Sequence, residues 1–277
     1  MSASLVKACV FGNPIGQSKS PIIHSMFAAQ FNLQLDYQKR LAPEHRFVQS
    51  ATEFFADKQC IGANVTMPFK HDAFKWVDEL SSQAERAGAV NTIIRKGEIL
   101  IGDNTDGYGI VTDLQAHGVE LSNAKLLLIG AGGAAKGALP ALLDAGLKSV
   151  SVFNRSLEKA EALVDYTNSY APRKTALYTH NDTAFDLVIN ATSLSLQAKL
   201  PDLPDSLFAN NPAVYDMVYL SESTVFMQKA TQLGCTNVID GLGMLVNQAA
   251  HSFYLWFGKK PDCEPVYAYL RELNNPN

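Results

Sequence analysis

The sequence predicts an α/β fold of two domains with largely parallel sheets. Apolar, β-rich runs alternate with segments of helical periodicity through most of the chain, as in strands joined by crossover helices. The length of 277 residues is long for one domain, so two domains are expected. A glycine-rich turn at residues 130–135 follows one predicted strand and opens a helix, which is how a βαβ unit begins.

The first third of the chain contains several predicted strands and one clearly signalled helix. Ser20-Pro21 opens that helix, because serine is a favoured N-cap and proline is favoured at the first helical position. The strands are predicted at residues 8–11, about 61–65, 89–94 and 98–101.

The middle third has a more regular βαβ pattern, and the tail is helical. A strand at 125–130 leads into the glycine-rich turn and then a helix over about 133–145, which Gly146 ends. In the tail, apolar residues recur at helical spacing from Leu245 to Trp256, with Gln248 among them. The remaining elements are strands at 150–153, 187–190, 214–217 and 237–239, and a helix capped by Ser156 that runs to about 169.

The composition of the chain argues against nucleic acid, membrane and metal as binding partners. The net charge of −4 and the pI near 5.9 give no support for binding to nucleic acid or to an anionic membrane. No apolar run is long enough to span a bilayer, and the N-terminus lacks the apolar core of a signal peptide. The four cysteines are scattered without a CxxC pair, which predicts reduced packing residues, no metal site and a cytoplasmic location.

The glycine-rich turn predicts a dinucleotide site in a Rossmann-like, doubly wound domain. Gly130 makes the tight turn, Gly132 lets the backbone approach a pyrophosphate, and Ala135 allows the helix to pack closely on the strand. The pyrophosphate would lie at the helix N-terminus, beside Ala131, Gly133 and Ala134. The alternative interpretation is an ordinary βα turn without a ligand.

The residues after the second strand of this unit favour NADP over NAD. NAD sites usually carry Asp or Glu there to bind the ribose 2′-hydroxyl, whereas this chain has Asn154-Arg155-Ser156. Arg155 can donate to a 2′-phosphate, and Lys159 lies one helical turn further on. The alternative is that Arg155 is a solvated surface charge and that Ser156 only caps the helix.

Lys70 and Asp106 lie among short amides and hydroxyls at the ends of successive predicted strands. Strand ends are where α/β proteins bind ligands. A lysine and a carboxylate in such surroundings suggest proton transfer on a polyhydroxylated substrate, coupled to hydride transfer from a nicotinamide. The alternatives are a surface lysine and an aspartate that caps a helix. The surrounding polar residues are Asn64, Thr66, Asn91, Thr92, Asn104 and Thr105.

Ser18 and Ser20 are candidates for binding an anionic group of the substrate. Two hydroxyls at a helix N-terminus suit a carboxylate, although Ser20 could be no more than an N-cap. The histidines His24, His71 and His251 show no metal-ligand spacing and are interpreted as surface or packing residues.

Together these motifs resemble the shikimate dehydrogenase family along nearly the whole chain. Their order and spacing are highly specific. They are Gly-Asn-Pro-Ile and Ser-Lys-Ser-Pro within 12–21, Asn-Val-Thr-Met-Pro-Phe-Lys at 64–70, Gly-Ala-Val-Asn-Thr at 88–92, Asn-Thr-Asp-Gly at 104–107, the turn at 130–135, Asn-Arg-Ser at 154–156, Asn-Ala-Thr-Ser at 190–193, Asp-Met-Val-Tyr at 216–219 and Asp-Gly-Leu-Gly-Met-Leu-Val-Asn-Gln at 240–248.

The resemblance implies a fold and an activity. It implies an N-terminal mixed α/β substrate domain, residues 1–105 plus 243–277, and a Rossmann-like, doubly wound NADP domain, residues 106–242. The C-terminal helices would pack back on the first domain. The implied reaction is NADPH-dependent reduction of 3-dehydroshikimate to shikimate, in aromatic amino-acid biosynthesis, by a monomer or homodimer.

The resemblance also implies roles for single residues. Lys70 and Asp106 would be the catalytic pair. Ser18, Ser20 and Tyr219 would bind the substrate carboxylate. The substrate hydroxyls would be bound by Asn64, Thr66, Asn91 and Gln248. Arg155 and Ser156 would bind the cofactor 2′-phosphate, and Asn154 would also bind the cofactor. Met217 and Gly241 would lie near the nicotinamide.

Two departures from the family pattern leave alternatives open. Ser156 stands where the family often has threonine, and Ser195 where it often has glycine, so the 194–200 loop is expected to differ in shape. One alternative is a quinate/shikimate dehydrogenase that uses NAD, but Ser156 and Leu157 stand where such an enzyme would carry an acidic residue. The other is a non-catalytic shikimate-binding sensor, which would not need Lys70 and Asp106.

Overall fold

The computed structural model describes residues 5–179 and 184–274, which form two compact units. The first unit takes the described residues up to Asp106 together with Val246–Tyr269. The second unit takes Gly107–Leu245 and the described residues from Leu270 onwards. The α/β fold class predicted from the sequence is confirmed.

The first unit is built on a six-stranded mixed sheet in the order β2-β1-β3-β5-β6-β4. Strand β1, next to the edge strand β2, pairs in parallel with β2 and β3, whereas β5 runs antiparallel to both β3 and β6. The strands are β1 (Val6–Gly12), β2 (Leu35–Leu41), β3 (Cys60–Val65), β4 (Glu79–Leu80), β5 (Thr92–Lys96) and β6 (Ile99–Asp103).

Two of these strands are absent from the sequence-based prediction for a physical reason. β2 is an edge strand rich in charged and polar residues, and β4 has only two residues. Neither has the apolar run on which the prediction of the other four strands depends. The predicted strand at 89–94 begins later than expected, at Thr92.

Helices and aromatic side chains complete the first unit. Phe11 lies between Phe47 and Phe54, with edge-to-face centroid distances of 5.6 and 5.8 Å. The first helix begins at Ser20 with Lys19 in the N-cap position, so the prediction that Ser20 is the cap is wrong by one residue. The helices are α1 (Ser20–Gln30), α2 (Phe47–Phe55), α3 (Lys70–Trp76), α4 (Ser82–Ala87) and most of α9 (Leu242–Phe257) and α10 (Glu264–Asn274).

The second unit is built on a six-stranded sheet in which every pairing is parallel. Its order is β12-β11-β10-β7-β8-β9, so the chain winds outwards in both directions from the neighbours β7 and β10. This is the doubly wound order with a topological switch point. The strands are β7 (Lys125–Ile129), β8 (Ser149–Phe153), β9 (Thr175–Leu177), β10 (Leu187–Asn190), β11 (Ala213–Asp216) and β12 (Val238–Asp240).

The helices of the second unit pack on two apolar clusters, one that includes Leu126, Leu128 and Ile189 and one that includes Leu127, Val188 and Phe226. They are α5 (Asp106–Ala116), α6 (Gly133–Asp144), α7 (Leu157–Tyr170) and α8 (Val225–Gln232). Among the helices of residues 5–179 and 184–274, none combines the length and the apolar character that crossing a bilayer requires.

A buried histidine lies in the aromatic core of the first unit. The His24 ring stacks on Tyr37 at 4.5 Å and lies 5.0 Å from Trp256, measured between ring centroids. Neither ring nitrogen has a hydrogen-bond partner of normal geometry among the described residues. Burial therefore lowers the pKa of His24 to about 3, against a smaller opposing effect of the nearby Asn64 side chain.

The low pKa of His24 predicts a specific loss of stability in acid. The unfolded chain takes up a proton near pH 6.5, whereas the folded chain does not until about pH 3. Between pH 7 and pH 5 this difference removes about 2 kcal/mol from the free energy of unfolding. We expect the His24→Phe variant, which keeps the ring stack, to lose about 2 kcal/mol less than wild type over that interval in urea unfolding.

A matched control is His45→Asn, because His45 is exposed and has a φ of 62° that asparagine tolerates. That variant should keep the wild-type dependence on pH. An unchanged dependence in His24→Phe would contradict the assignment of a neutral, buried His24.

Candidate functional site

The topology of the first sheet brings four chain segments to one edge. β1 and β3 are parallel, so the segments that follow Gly12 and Val65 start at the same edge. Because β5 is antiparallel to β3, its beginning at Thr92 lies there too, and so does the end of antiparallel β6 at Asp103. The polar residues predicted from the sequence are therefore concentrated at this edge.

Lys70 and Asp106 form an ion pair at this edge. The Lys70 Nζ lies 2.5 Å from the Asp106 Oδ2, and the two side chains are 27% and 10% exposed. Lys70 is the first residue of α3 and Asp106 the first of α5. Asp106 is itself the first residue of α5, and the Asn104 side chain accepts its backbone N–H at 3.1 Å.

The second oxygen of Asp106 has its own donor. The Asn91 Nδ2 donates to Asp106 Oδ1 at 2.7 Å, and the Asn91 Oδ1 accepts the Thr105 backbone N–H at 2.9 Å. The Thr92 hydroxyl donates to the same Asn91 Oδ1 at 2.9 Å. These contacts fix which end of the Asn91 amide faces the carboxylate, so one oxygen of Asp106 meets an amide and the other meets an ammonium.

Asn64 and Gln248 lie in the same polar network. The Tyr37 hydroxyl donates to Asn64 Oδ1 at 2.7 Å, while Asn64 Nδ2 donates to Ser252 Oγ at 3.0 Å. The Gln248 Oε1 lies 3.5 Å from Asn91 Nδ2. The predicted residues Asn64, Asn91, Asp106 and Gln248 are therefore brought together with Lys70. Tyr37 and Ser252 were missed by the sequence analysis.

Each missed residue has an identifiable reason. Tyr37 lies on the polar edge strand β2, whose pattern does not predict a strand. Ser252 lies four residues after Gln248 on α9, and residues four apart share one face of a helix. That spacing is the sequence signal that could have identified Ser252.

Ser18, Ser20 and Thr66 lie at the same sheet edge. The Ser18 hydroxyl donates to Ser20 Oγ at 3.2 Å and accepts the Ser20 backbone N–H at 3.3 Å. Thr66 directly follows β3, and its backbone N–H donates to the Phe11 carbonyl at 2.8 Å. The two serines are therefore a hydroxyl pair in the segment after β1, next to the segment that holds Thr66 and Lys70.

The second unit contains a cavity of about 790 Å³ at the carboxyl ends of β7, β8 and β10. This is the switch point at which open α/β sheets bind ligands. The cavity is lined by Ile129, Gly130, Phe153, Asn154, Arg155, Thr192, Ser193, Leu194, Gln197, Lys199, Leu200, Pro201 and Asp202.

The glycine-rich turn has the conformation expected of a phosphate-binding turn. Gly130 has a φ of 110°, which residues other than glycine rarely adopt. The Asn154 Oδ1 accepts the Ala131 backbone N–H at 3.2 Å. Gly132 is the N-cap of α6, and Gly132, Gly133 and Ala134 are exposed. The first backbone N–H groups of α6 can therefore meet an anion.

Arg155 and Ser156 follow β8 beside this cavity. Arg155 is exposed and lines the cavity. Ser156 is the N-cap residue of α7 as predicted, but its hydroxyl makes no capping hydrogen bond with the described residues. The Ser156 hydroxyl is therefore available to form a hydrogen bond with a ligand.

Met217, Tyr219 and Gly241 lie in the second unit, after β11 and β12. Met217 donates its backbone N–H to the Asn190 carbonyl at 2.9 Å. A Cβ atom at Gly241 would lie 2.1 Å from the Met217 carbonyl oxygen, so only glycine permits this approach. Met217 and Gly241 are therefore neighbours. Burial raises the pKa of Tyr219.

Ser195 ties the 194–200 segment to the sheet. Its buried hydroxyl donates to Asp216 Oδ2 at 2.6 Å, and the Thr224 hydroxyl donates to the same oxygen at 2.7 Å. Burial raises the pKa of Asp216 despite these donors. Ser195 stands out in the sequence, whereas the role of Asp216 as its anchor becomes apparent only in the structure.

Within the part of the chain that the structure describes, no three or more His, Cys, Asp or Glu side chains form a group that could hold a metal ion. The cysteines are free thiols, of which Cys9, Cys60 and Cys235 are buried and Cys263 is half-buried.

The sheet order, the glycine-rich turn and the cavity place the chain in the class of α/β proteins with a Rossmann-like dinucleotide-binding unit. Family models match three of its segments: "Shikimate dehydrogenase substrate binding domain" residues 10–93, "Shikimate / quinate 5-dehydrogenase" residues 113–198 and "Shikimate 5'-dehydrogenase C-terminal domain" residues 241–271.

Similarity to curated and solved proteins agrees with these matches. The chain is 46% identical to shikimate dehydrogenase (NADP(+)) of Vibrio campbellii over 98% of both chains. The chain belongs to the shikimate dehydrogenase family, and the resemblance seen in the sequence is confirmed.

Two solved structures illustrate the similarity of fold. Shikimate 5-dehydrogenase from Thermus thermophilus, in complex with NADP(H) and shikimate, is 32% identical with a TM-score of 0.87, covering 97% of this chain and 99% of that one. The enzyme of the same name from Listeria monocytogenes, in complex with shikimate and NAD, is 27% identical with a TM-score of 0.89, covering 98% of each chain.

Proposed function

We propose that this protein catalyses the reversible, NADPH-dependent reduction of 3-dehydroshikimate to shikimate, a step of aromatic amino-acid biosynthesis. The observation that carries the proposal is the Lys70–Asp106 ion pair, held at 2.5 Å among amides and hydroxyls suited to a polyhydroxylated ring. Near full-length similarity to proteins named shikimate dehydrogenase (NADP(+)) supports the same substrate and cofactor.

The division of labour follows the two units. We assign substrate binding to residues 1–105 plus 243–277, and NADP binding to residues 106–242. The polar edge of the first sheet supports the first assignment, and the cavity at the switch point of the second sheet supports the second. The cytoplasmic location and the monomeric or dimeric state stay predictions.

The proton step is assigned to Lys70. When bound, NADPH supplies the hydride to the C3 carbonyl carbon of the substrate. The Lys70 ammonium donates a proton to the carbonyl oxygen, so that the ketone becomes an alcohol with one hydride and one proton added. In the reverse direction, the Lys70 amine removes that proton.

Asp106 orients the participants of this step. Its Oδ2 accepts from Lys70 and holds the ammonium in one direction. Because Asn91 occupies Oδ1 at 2.7 Å, the carboxylate cannot rotate away from the lysine without losing a hydrogen bond. A lone pair of the carboxylate remains to accept from a substrate hydroxyl.

The other substrate contacts use neutral donors and acceptors. Ser18 and Ser20 offer a hydroxyl pair to the substrate carboxylate, and α1 begins beside them at Ser20. The ring hydroxyls are assigned to Asn64, Thr66, Asn91 and Gln248. The role of Tyr219 stays a prediction.

Cofactor binding is assigned to the cavity of the second unit. The turn from Gly130 to Ala134 and the start of α6 would hold the pyrophosphate. Arg155 and the Ser156 hydroxyl would bind the 2′-phosphate, with Asn154 bracing the turn. Met217 and Gly241, which are neighbours, would contact the nicotinamide.

A second candidate is a quinate/shikimate dehydrogenase that also uses NAD. It is favoured by the family model that carries both substrate names and by the Listeria structure, which contains NAD. The residues after β8 argue against it, because Arg155 and Ser156 beside the cavity offer donors to a phosphate and no acceptor carboxylate for a ribose hydroxyl. A non-catalytic sensor would not need the Lys70–Asp106 pair.

The direct test is absorbance at the reduced-nicotinamide band with shikimate or quinate, each combined with NADP or NAD. We expect the highest kcat/KM with shikimate and NADP. Faster turnover with quinate and NAD would establish the second candidate. No turnover with any of the four pairs would exclude shikimate or quinate dehydrogenase activity.

Removal of the Lys70 amine should slow the chemical step. We expect Lys70→Ala to lower kcat by about a hundredfold or more, the scale of a lost general acid–base. The control is Lys75→Ala, which removes an exposed lysine from the same helix and should leave kcat unchanged. A near-normal kcat for Lys70→Ala would count against the assigned role.

Removal of the Arg155 guanidinium should affect NADP selectively. A hydrogen bond to a charged group contributes about 1.5–3 kcal/mol, so Arg155→Ala should raise KM for NADP by roughly ten- to a hundredfold. KM for NAD should change little. Lys148→Ala, which removes an exposed cation of the same unit that does not line this cavity, should change neither KM. Equal losses for both cofactors in Arg155→Ala would refute recognition of the 2′-phosphate.

A further inference from the structure

Ser252 is a fully buried hydroxyl at the centre of the substrate-site network, and none of the roles assigned above includes it. Its Oγ lies 3.0 Å from Asn64 Nδ2, 2.8 Å from Thr92 Oγ1 and 3.3 Å from Thr105 Oγ1. It also donates to the Gln248 carbonyl, one turn earlier on α9, at 3.0 Å. A single side chain therefore contacts residues from three strands or strand ends and from its own helix.

The chemistry of a hydroxyl limits which hydrogen bonds Ser252 can donate and accept. Serine has one proton and two lone pairs. Whether the proton is directed to the Gln248 carbonyl or to the Thr92 hydroxyl, the Ser252 oxygen faces Asn64 as an acceptor. It therefore selects the –NH₂ end of the Asn64 amide. The Tyr37 hydroxyl donates to the other end, Asn64 Oδ1, at 2.7 Å.

Ser252 and Tyr37, together with the Asn91 carbonyl oxygen 3.3 Å from Asn64 Nδ2, thus clamp Asn64 in one orientation. If the amide rotated by half a turn, its oxygen would face the Asn91 carbonyl oxygen, which has no proton, and the Ser252 oxygen, whose proton is engaged elsewhere. Two acceptors would then meet in a buried site, which costs about 1–3 kcal/mol for the unsatisfied group. The Asn64 side chain is 6% exposed, so bulk water does not relieve this penalty.

The effect reaches the second amide through Thr92. The Thr92 hydroxyl lies within hydrogen-bonding distance of both Ser252 Oγ, at 2.8 Å, and Asn91 Oδ1, at 2.9 Å. Asn91 has two further contacts that fix its amide, with the Thr105 backbone N–H and with Asp106. Loss of Ser252 leaves Asn64 Nδ2 its longer contacts with Thr92 Oγ1, at 3.1 Å, and with the Asn91 carbonyl, at 3.3 Å. It should therefore disturb Asn64 more than Asn91.

We propose that Ser252 is a positioning residue that sets recognition of the substrate hydroxyls by fixing the orientation of the Asn64 amide. This inference rests on the proposed function, because Asn64 is assigned there to a ring hydroxyl. Ser252 does not touch the Lys70–Asp106 pair, so its contribution belongs to substrate binding and not to the proton step.

The test is steady-state kinetics of Ser252→Ala. KM for shikimate should rise by about five- to fiftyfold, the effect of a misdirected hydrogen bond of about 1–2.3 kcal/mol. The kcat value should stay within about threefold, and KM for NADP should not change. The penalty should vanish for whichever of the 4-deoxy and 5-deoxy shikimate analogues lacks the hydroxyl that Asn64 binds.

Thr167→Val is the matched control for lost packing. Thr167 is also fully buried and donates to the carbonyl four residues earlier, at 2.7 Å, but it lies on α7, in the second unit. It should lose similar stability without a change in KM for shikimate. If Ser252→Ala does not fold, Tyr37→Phe removes the other half of the clamp and should give the same pattern, with the two losses non-additive if both variants can be combined.

The outcomes separate this inference from the proposed function. A wild-type protein with no turnover of shikimate and NADP overturns the proposed function. A wild-type protein that turns over, with variants whose KM for shikimate is unchanged, overturns only the role of Ser252. Equal penalties for shikimate and both deoxy analogues also overturn it, because they would show a general loss of packing.

Discussion

The site depends on one constraint: each oxygen of the buried Asp106 carboxylate has a different partner. Asn91 occupies Oδ1 at 2.7 Å and Lys70 occupies Oδ2 at 2.5 Å. A carboxylate with a donor on each oxygen has little rotational freedom, and the lysine that pairs with it has a fixed direction. The polar groups around Asn91 at the same sheet edge maintain this arrangement.

Hydrogen bonding among buried groups extends the constraint outwards. Thr92, Thr105 and Ser252 are fully buried, yet their hydroxyls lie within 3.3 Å of one another. Unsatisfied polar groups in such a place would destabilise the fold, so a complete network rigidifies it and allows few alternative arrangements. Reversal of the strand direction at β5 makes the network possible, because it brings the start of β5 and the ends of β3 and β6 to one edge.

The sequence was sufficient for the parts of the molecule that depend on local pattern. The fold class, the glycine-rich turn and the family resemblance are confirmed, because buried strands, amphipathic helices and a strand–turn–helix leave strong periodic signals. The pairing of Lys70 with Asp106 was anticipated from their positions at strand ends. The roles of the site residues stay predictions.

The parts that were missed depend on contacts between distant residues. Tyr37 lies on an edge strand that its polar sequence does not predict. The role of Asp216 is recognisable only from the hydrogen bonds that Ser195 and Thr224 donate to it. The hydroxyl network around Ser252 joins residues up to 188 positions apart. The predicted starts of two helices were also imprecise. Ser20 is the first residue of α1 and not its N-cap, and Ser156 is the N-cap of α7 but its side chain makes no capping hydrogen bond.

The most direct measurement of the central claim is a double-mutant cycle of kcat with Lys70→Ala, Asp106→Ala and the double variant. If the two residues act as one unit, in which Asp106 works by directing Lys70, the double variant should be about as slow as the slower single variant. Losses in activation free energy that add in the double variant would contradict the account, because they would mean that each residue acts independently of the other.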